Sequence, residues 1–227
     1  LDKGDITAGL YGYNGALVGL ALFSLFEPNI ALIILAVAGA AGATYIQQLM
    51  NRLRIPAYTM PFVVTTWLLI LVRRLLDASA LSSASTPPDL HLPLVSPIAK
   101  GIGQVMLQQN TITGIVILTA LLVSSRPAAL FALSGSLTGA GLALLLGASP
   151  EAVTTGMYGF NAVLCGIVFA GFTRKSFLWA AAAIVVAILL QFVFDLIRIP
   201  PLTFPFVAST WLISYLRKRS QDHKRAH

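Results

Sequence analysis

The chain has 227 residues, of which 57% are hydrophobic and 10% are charged, and its mean hydropathy is +0.83. An ordinary soluble domain carries roughly 25% charged residues, so this composition excludes a soluble enzyme and indicates an all-α integral membrane protein. The net charge of +7 comes from basic residues between apolar runs and at the C-terminus. They form no aromatic-interleaved stripe, so nucleic acid is not an expected partner.

Eight apolar segments are predicted to be membrane helices, two of them short. In chain order they cover residues 7–26, 29–50, 59–76, 110–124, 127–147, 152–173, 176–197 and 203–216. A further amphipathic stretch, Ser96–Gln109, is too short and polar to cross a bilayer and is predicted to be an interfacial or re-entrant helix. The Ser- and Pro-rich run 77–97 is predicted to be a solvated linker. It separates a first part, 1–76, from a second part, 98–216, which a basic tail at 217–227 follows.

The basic residues predict the orientation, because Lys and Arg accumulate in cytoplasmic loops. If the eight segments cross the membrane in alternating directions, eleven Lys and Arg residues lie on the side of the C-terminus and four lie on the other side. This split predicts a multi-pass protein of the plasma membrane, the inner membrane in a bacterium, with a cytoplasmic C-terminus. The alternative is that residues 217–225 are simply a soluble tail, without which the bias falls to six against four.

Two motifs occur twice, in the same order. Residues 9–19, Gly-Leu-Tyr-Gly-Tyr-Asn-Gly-Ala-Leu-Val-Gly, recur at 156–166 with six of eleven positions identical. Residues 54–68, which begin Arg-Ile-Pro-Ala-Tyr-Thr-Met-Pro-Phe, recur at 198–212 with ten of fifteen identical. The spacing between the motifs is nearly the same in both copies, so the repeat covers three consecutive helices.

The span count starts the second copy on the opposite side of the membrane from the first. The two helical repeats are therefore predicted to have inverted topology around a central pore. The second copy is also preceded by two more helices and by Ser96–Gln109, whereas few residues precede the first motif. We expect the first repeat to be truncated at its N-terminus.

Prolines flank a threonine in each Ile-Pro-x-x-Thr-x-Pro-Phe motif, at Thr59 and at Thr203. Proline lacks an N–H and clashes with the carbonyl four residues back, so the chain is predicted to be irregular there. Irregular backbone at membrane depth persists where it lines a cavity or is buried in protein, and the two hydroxyls are predicted to line a pore. Alternatively, each threonine is the N-cap of the following helix. The two interpretations are compatible.

The glycine-rich motif places Tyr13 and Leu17 four residues apart, and likewise Phe160 and Leu164, so each pair shares a helical face. Its glycines are predicted to allow close helix approach. They are Gly12, Gly15, Gly19, Gly159 and Gly166. These features fit a pore wall or, alternatively, ordinary helix packing.

Polar residues inside the apolar segments are few. In the packing alternative, Asn14 and Asn161 are interhelical hydrogen-bonding residues. Gln104 begins an amide cluster that is either part of the pore or the polar face of an interfacial helix; the cluster continues with Gln108, Gln109 and Asn110. Asp195 is predicted to form a structural ion pair with Arg198. No His–carboxylate pair or multi-cysteine set is positioned for catalysis or for metal binding, so we expect no enzyme, metal or cofactor.

The doubled motifs, together with Gly103-Gln104-Val105, resemble the urea transporter family over essentially the whole chain. The resemblance implies channel-like, passive transport of urea down its gradient. It also implies two inverted five-helix halves with a short pore helix each, assembled in the lipid membrane as a homotrimer with one pore per subunit.

The resemblance implies roles for eight residues. The family's slot, which sandwiches planar urea, is similar to the set Tyr13, Leu17, Phe160 and Leu164. The hydroxyls at its constriction are similar to those of Thr59 and Thr203. The amide or carboxylate of its second-half pore helix is similar to Gln104. Leu107 stands where the family usually has Phe, so one wall is aliphatic here, and Tyr13 likewise replaces a Phe. The alternatives are a pore for another small neutral solute (an amide, ammonia or water) and a truncated, non-conducting structural repeat.

Overall fold

A computed structural model describes residues 3–7, 9–76 and 95–225, which form helices and connecting turns with no strand among them. The prediction of an all-α protein is confirmed for this part of the chain. Most of the predicted linker at 77–97 lies outside the described residues. The chain divides into two compact units, Leu1–Thr86 and Pro87–His227, which we call the N-terminal and C-terminal units.

The N-terminal unit contains four described helices. They are α1 (Lys3–Thr7), α2 (Leu10–Leu25), α3 (Ile30–Arg52) and α4 (Met60–Leu76). α2, α3 and α4 pack against one another in pairs. Asn29 caps α3, since its side-chain oxygen accepts a hydrogen bond from the Leu32 N–H at 2.8 Å.

The C-terminal unit contains seven α-helices and one 3₁₀ turn within the described residues. They are α5 (Ser96–Gly103), the 3₁₀ turn Gln104–Met106, α6 (Thr111–Ser124), α7 (Arg126–Leu145), α8 (Pro150–Thr154), α9 (Gly159–Val168), α10 (Arg174–Leu196) and α11 (Phe204–Arg225). α9, α10 and α11 pack in pairs, as their repeat counterparts α2, α3 and α4 do, and α5, α7 and the 3₁₀ turn also pack against α9.

Three of the described helices, α3, α7 and α10, are long and apolar enough to cross a membrane. The bent pair formed by α5, with its 3₁₀ turn, and α6 adds a fourth when it is counted as one span; its parts meet at 74°. A bend of this size fits a broken span or a re-entrant loop. The re-entrant form is one of the two predicted for Ser96–Gln109, and the interfacial form is the other. Each of the eight predicted segments contains a helix, and the count of eight membrane spans stays a prediction.

The longest apolar helices leave much of their surface uncovered. On α3, Ile30, Ile33, Ile34 and Val37 follow the helical repeat and are 52–79% exposed. A continuous apolar stripe of this kind is unfavourable in water and suits a helix that contacts lipid. The apolar exterior therefore supports an integral membrane protein.

Two of the predicted segments contain a break that was not predicted. Residues 7–26 and 152–173 each divide at a glycine with positive φ, Gly9 at 73° and Gly156 at 76°. These glycines separate short helices (α1 and α8) from the longer α2 and α9. Glycine adopts this left-handed conformation without the steric penalty that a Cβ brings. The apolar pattern does not reveal such a break, because apolar residues lie on both sides of it.

Candidate functional site

The proline-flanked motif forms a tight, non-helical turn before α4 and the same turn before α11. In the N-terminal unit Arg54 and Tyr58 have φ of 56° and 45°; in the C-terminal unit Arg198 and Leu202 have φ of 56° and 49°. Left-handed backbone costs a bulky residue of the order of 1 kcal/mol. Two such residues at matching positions in both copies indicate that surrounding contacts hold the turn in place.

The first N–H groups of α4 are all accounted for. The Met60 N–H donates to the Ala57 carbonyl at 2.9 Å, Pro61 has no N–H, and the Val63 N–H donates to the Thr59 carbonyl at 3.1 Å. The Phe62 N–H donates to Oδ1 of Asn14 at 3.2 Å. Asn14 belongs to another helix, so an asparagine from α2 completes the cap of α4.

Asn14 also binds the turn itself. Its Nδ2 donates to the Tyr58 carbonyl at 3.1 Å and to Oε1 of Gln47 at 2.9 Å. The side chain of Asn14 is 1% exposed. One buried amide therefore joins α2, α3, the left-handed residue of the turn and the third residue of α4.

The C-terminal unit repeats this network with nearly identical distances. Nδ2 of Asn161 donates to the Leu202 carbonyl at 3.1 Å and to Oε1 of Gln191 at 2.9 Å, while its Oδ1 accepts from the Phe206 N–H at 3.1 Å. Asn161 is also 1% exposed. The interhelical hydrogen-bonding role expected of both asparagines in the packing alternative is confirmed, and it is compatible with a pore function for the turn.

The two copies differ one helical turn after Gln47 on α3 and after Gln191 on α10. In the N-terminal unit Nε2 of Gln47 donates to Oδ1 of Asn51 at 2.9 Å. In the C-terminal unit the equivalent of Asn51 is Asp195, whose carboxylate accepts from the Tyr158 hydroxyl at 2.5 Å and, at a long 3.5 Å, from Nε2 of Gln191.

The predicted ion pair between Asp195 and Arg198 is not formed within the described structure. The left-handed backbone of Arg198, at φ 56°, ends the helical geometry that would place the two side chains on one face. The carboxylate is instead held by Tyr158 and Gln191.

Thr59 and Thr203 directly precede α4 and α11 and are 2% and 4% exposed. The Thr203 carbonyl accepts from the Val207 N–H at 3.1 Å, as the Thr59 carbonyl does from Val63. Both threonines therefore occupy the N-cap position, and the Asn-bound turns fix their backbones. This is the N-cap interpretation, which leaves their place on a pore wall a prediction.

The predicted slot residues lie on the helices that carry the asparagines. Leu17 is 2% exposed and Tyr13 is 37% exposed on α2, whereas Phe160 and Leu164 are 6% and 9% exposed on α9. Because the two residues of each pair are four apart on their helix, their side chains share one helical face.

Gln104 and Leu107 lie at the end of the short helix that packs against α9. Nε2 of Gln104 donates to the Thr155 carbonyl at 3.2 Å, and Gln104 is 6% exposed. Leu107 has φ of 57° and its N–H donates to the Gln104 carbonyl at 2.8 Å, so it is the left-handed C-cap of the 3₁₀ turn. In the amide cluster, Asn110 is the N-cap of α6, with its Oδ1 accepting from the Thr113 N–H at 3.1 Å.

The motif glycines behave differently in the two copies. A Cβ on Gly159 would lie 2.8 Å from Cα of Gly101, and one on Gly166 would lie 2.5 Å from the Phe131 carbonyl oxygen. At the equivalent positions, Gly12 and Gly19, a Cβ would meet nothing within 4 Å in the described chain. Close approach is thus confirmed for the second copy and for Gly15, which contacts Ala40, and it is wrong for Gly12 and Gly19 within these residues.

Two glutamines that bind the asparagines lie outside the two repeated motifs and were not predicted. Gln47 and Gln191 occupy equivalent positions of the repeat and are followed four residues later by Asn51 and Asp195. Extending the repeat comparison across the helix between the two motifs could have found this pair.

The site offers neutral amides, hydroxyls and aromatic and aliphatic side chains. Within the described residues no group of three His, Cys, Asp or Glu side chains could hold a metal ion. Cavities of about 400 Å³ and about 300 Å³ on the C-terminal unit are lined by residues other than the predicted site residues.

Comparison with known proteins gives concordant matches. A family model described as "Urea transporter" matches residues 1–218. The chain is 29% identical to urea transporter 1 of Ovis aries and to that of Capra hircus, over 97% of this chain and 64% of each relative. It is 28% identical to urea transporter 1 of Rattus norvegicus, over 75% of this chain and 49% of the relative. The chain thus spans 64% of the length of the sheep and goat relatives that it matches.

Proposed function

Because the chain belongs to the urea transporter family, we propose that it conducts urea passively down its gradient through a narrow slot. The observation that carries the proposal is the doubled, asparagine-held turn. In both units a buried amide fixes a non-helical segment that ends in a threonine, beside a helix that presents an aromatic and a leucine four residues apart.

The chemistry of urea fits such a slot. Urea is flat and neutral, with four N–H donors and one carbonyl acceptor, so a channel for it needs apolar walls for its faces and oxygens along its edge. Leaving its polar groups unpaired in an apolar pore would cost several kcal/mol each. We propose Tyr13, Leu17, Phe160 and Leu164 as the walls, with Leu107 as an aliphatic wall of the second half. Thr59, Thr203 and Gln104 supply the polar edge.

We further propose that the two units are inverted repeats around this pore and that a helix equivalent to α5 packs on α2 of the first repeat. The glycine contacts support the second point. In the C-terminal unit Gly159 packs against α5 and Gly166 against α7, whereas no described atom lies within 4 Å of a Cβ on Gly12 or Gly19. Because α5 contacts Gly159, a helix equivalent to α5 would cover Gly12, its counterpart on α2.

The assembly and the location are also proposals. Family membership supports a homotrimer with one pore per subunit in the plasma membrane, which is the inner membrane in a bacterium. The basic residues after Leu216 support a cytoplasmic C-terminus. The neutral site supports transport, and we propose no enzymatic activity.

Urea flux through proteoliposomes tests this function. Stopped-flow light scattering should give faster urea equilibration than empty vesicles, with methylurea, glycerol and water as comparison solutes. Thr59→Val and Thr203→Val should each lower urea flux at least about fivefold, because Val keeps the shape and removes the hydroxyl. A Ser134→Ala variant is the matched control, since that exposed hydroxyl bonds the Leu130 carbonyl of its own helix. Unchanged flux in both Val variants would remove the threonines from the constriction.

The same assay separates the alternatives. A pore for another neutral solute would pass ammonia, water or a larger amide at least as well as urea. A non-conducting structural repeat would give the rate of empty vesicles for every solute.

A further inference from the structure

A cleft of about 400 Å³ lies on the C-terminal unit between the first turns of α10 and the last turns of α11. Lys175 and Trp179 line it from α10, and Arg217 and Ser220 from α11. It is separate from the residues proposed to conduct urea. The transport function leaves this cleft unused.

The cleft is electropositive with an apolar floor. Lys175 and Arg217 reach it from two different helices, and none of its lining residues is acidic. Leu178 and Ala182 supply the apolar part. Two cations from opposite walls suit an anionic group such as a phosphate, because each can give a charge-assisted hydrogen bond to it.

The cleft also lies where both helices change from polar to apolar. α10 begins at Arg174 and is apolar enough to span a membrane, while α11 is apolar up to Leu216 and charged from Arg217 onwards. Phe177 and Leu178, next to the cleft, are 61% and 57% exposed. This is the pattern of a membrane–water interface, where tryptophan is enriched.

We infer that this cleft binds the headgroup of an anionic phospholipid. The phosphate lies between Lys175 and Arg217, and the first part of an acyl chain follows Leu178 and Ala182 onto the exposed apolar surface of α10. A soluble phosphate would use the two cations and leave the apolar floor empty, whereas a phospholipid uses both. Basic clefts between helix ends at the membrane surface are suited to such headgroups. The inference goes beyond urea transport and does not depend on it.

Native mass spectrometry of the detergent-purified full chain tests the site. The protein is titrated with phosphatidylglycerol and, separately, with phosphatidylcholine of the same acyl chains. Phosphatidylglycerol should bind about tenfold more tightly or better, since each basic residue near an anionic headgroup contributes about fivefold. A large excess of inorganic phosphate should leave the phosphatidylglycerol complex in place.

Charge variants locate the site. Lys175→Gln with Arg217→Gln should weaken phosphatidylglycerol binding about tenfold or more. Lys218→Gln with Arg219→Gln is the matched control, because it removes the same charge from exposed residues of α11 that do not line the cleft; it should change binding less than about twofold. Equal losses in both pairs would overturn the inference in favour of diffuse charge.

A second variant tests the cleft without changing its charge, and it remains informative if the Lys175→Gln, Arg217→Gln variant does not fold. Ala182→Phe fills the floor of the cleft and should weaken phosphatidylglycerol binding while urea flux stays at the wild-type rate. Unchanged lipid binding in Ala182→Phe, equal affinity for the two lipids, or displacement of phosphatidylglycerol by inorganic phosphate would each overturn the inference.

Discussion

At the scale of single residues, the two asparagines hold the site together. Asn161→Leu keeps the branched shape of the side chain and removes the hydrogen bonds that Asn161 makes with the Phe206 N–H, the Leu202 carbonyl and Oε1 of Gln191. A buried group that loses its hydrogen bond costs about 1–3 kcal/mol, so we expect a total loss of about 3 kcal/mol or more. Thermal unfolding in detergent measures it, and Asn14→Leu should give a similar loss. A loss below about 1 kcal/mol in both variants would contradict the role of the network.

At Thr66 we expect a substitution that does not destabilise the protein. It is fully buried on α4, and its Oγ1 has no hydrogen-bond partner among the described residues. Its counterpart Thr210 faces Sγ of Cys165 at 3.9 Å, whereas the residue equivalent to Cys165 in the first copy is Val18, which cannot pair with a hydroxyl. Thr66→Val should therefore be neutral or stabilise the protein by about 1 kcal/mol, because it removes a buried unpaired hydroxyl.

The same substitution at Thr44 is the control for Thr66→Val. Oγ1 of Thr44 donates to the carbonyl of Ala40 or Tyr11, at 2.9 and 3.1 Å, so Thr44→Val should destabilise the protein by about 1 kcal/mol. If thermal unfolding shows equal losses in the two variants, Thr66 has a partner that the described residues do not account for.

The sequence predicted which residue types hold the site and missed how they connect. Asn14 and Asn161 stand out because they repeat inside apolar segments, and a hydrogen-bonding role follows from the cost of burying an amide. Their partners include the carbonyls of Tyr58 and Leu202. Those contacts come from backbone that is folded into a left-handed turn, and a carbonyl carries no side-chain signal in the sequence.

At the scale of elements, the ends of α3 and α10 show the same strained cap. Arg198 follows α10 with φ of 56°, and the next N–H, that of Ile199, donates to the Phe194 carbonyl at 3.2 Å. This position favours glycine. Arg198→Gly should stabilise the protein by about 0.5–1 kcal/mol by removing the left-handed penalty.

Arg198→Ala is the control for that cap, because alanine keeps the Cβ and should give no such gain. Thermal unfolding of both variants is the measurement. A clear loss of stability in both variants would indicate that Arg198 does form the predicted ion pair with Asp195.

The extent of each helix was less predictable than its presence. A helix occupies each of the eight predicted segments, because long apolar runs leave few other structures in a membrane. α11 continues past the predicted end at 216 to Arg225, since charged residues end the apolar run without ending helical hydrogen bonding. The breaks at Gly9 and Gly156 were missed because glycine also serves close packing inside membrane helices.

At the scale of the whole molecule, the motif glycines test whether the first repeat is completed by a further helix. Gly159→Ala brings a Cβ to 2.8 Å from Cα of Gly101, so we expect a loss of about 2 kcal/mol or more. Gly12→Ala meets nothing within 4 Å in the described chain. In the 227-residue form it should be neutral or stabilising by up to about 1 kcal/mol through helix propensity.

A longer form that carries any residues encoded upstream of Leu1 should reverse the sign for Gly12. If a helix equivalent to α5 then covers α2, Gly12→Ala should destabilise that form as Gly159→Ala does. Equal and small effects of Gly12→Ala in both forms would contradict the proposal that such a helix docks on this face.

Urea conduction by a paired set of turns is the central claim, and one measurement tests it most directly. Stopped-flow urea flux is recorded on matched proteoliposomes that hold the 227-residue chain or the longer form. We expect fast flux that selects urea over methylurea and glycerol in the longer form, and slower flux in the 227-residue form if a further helix covers Gly12 only in the longer form. Flux at the rate of empty vesicles in both forms would contradict it.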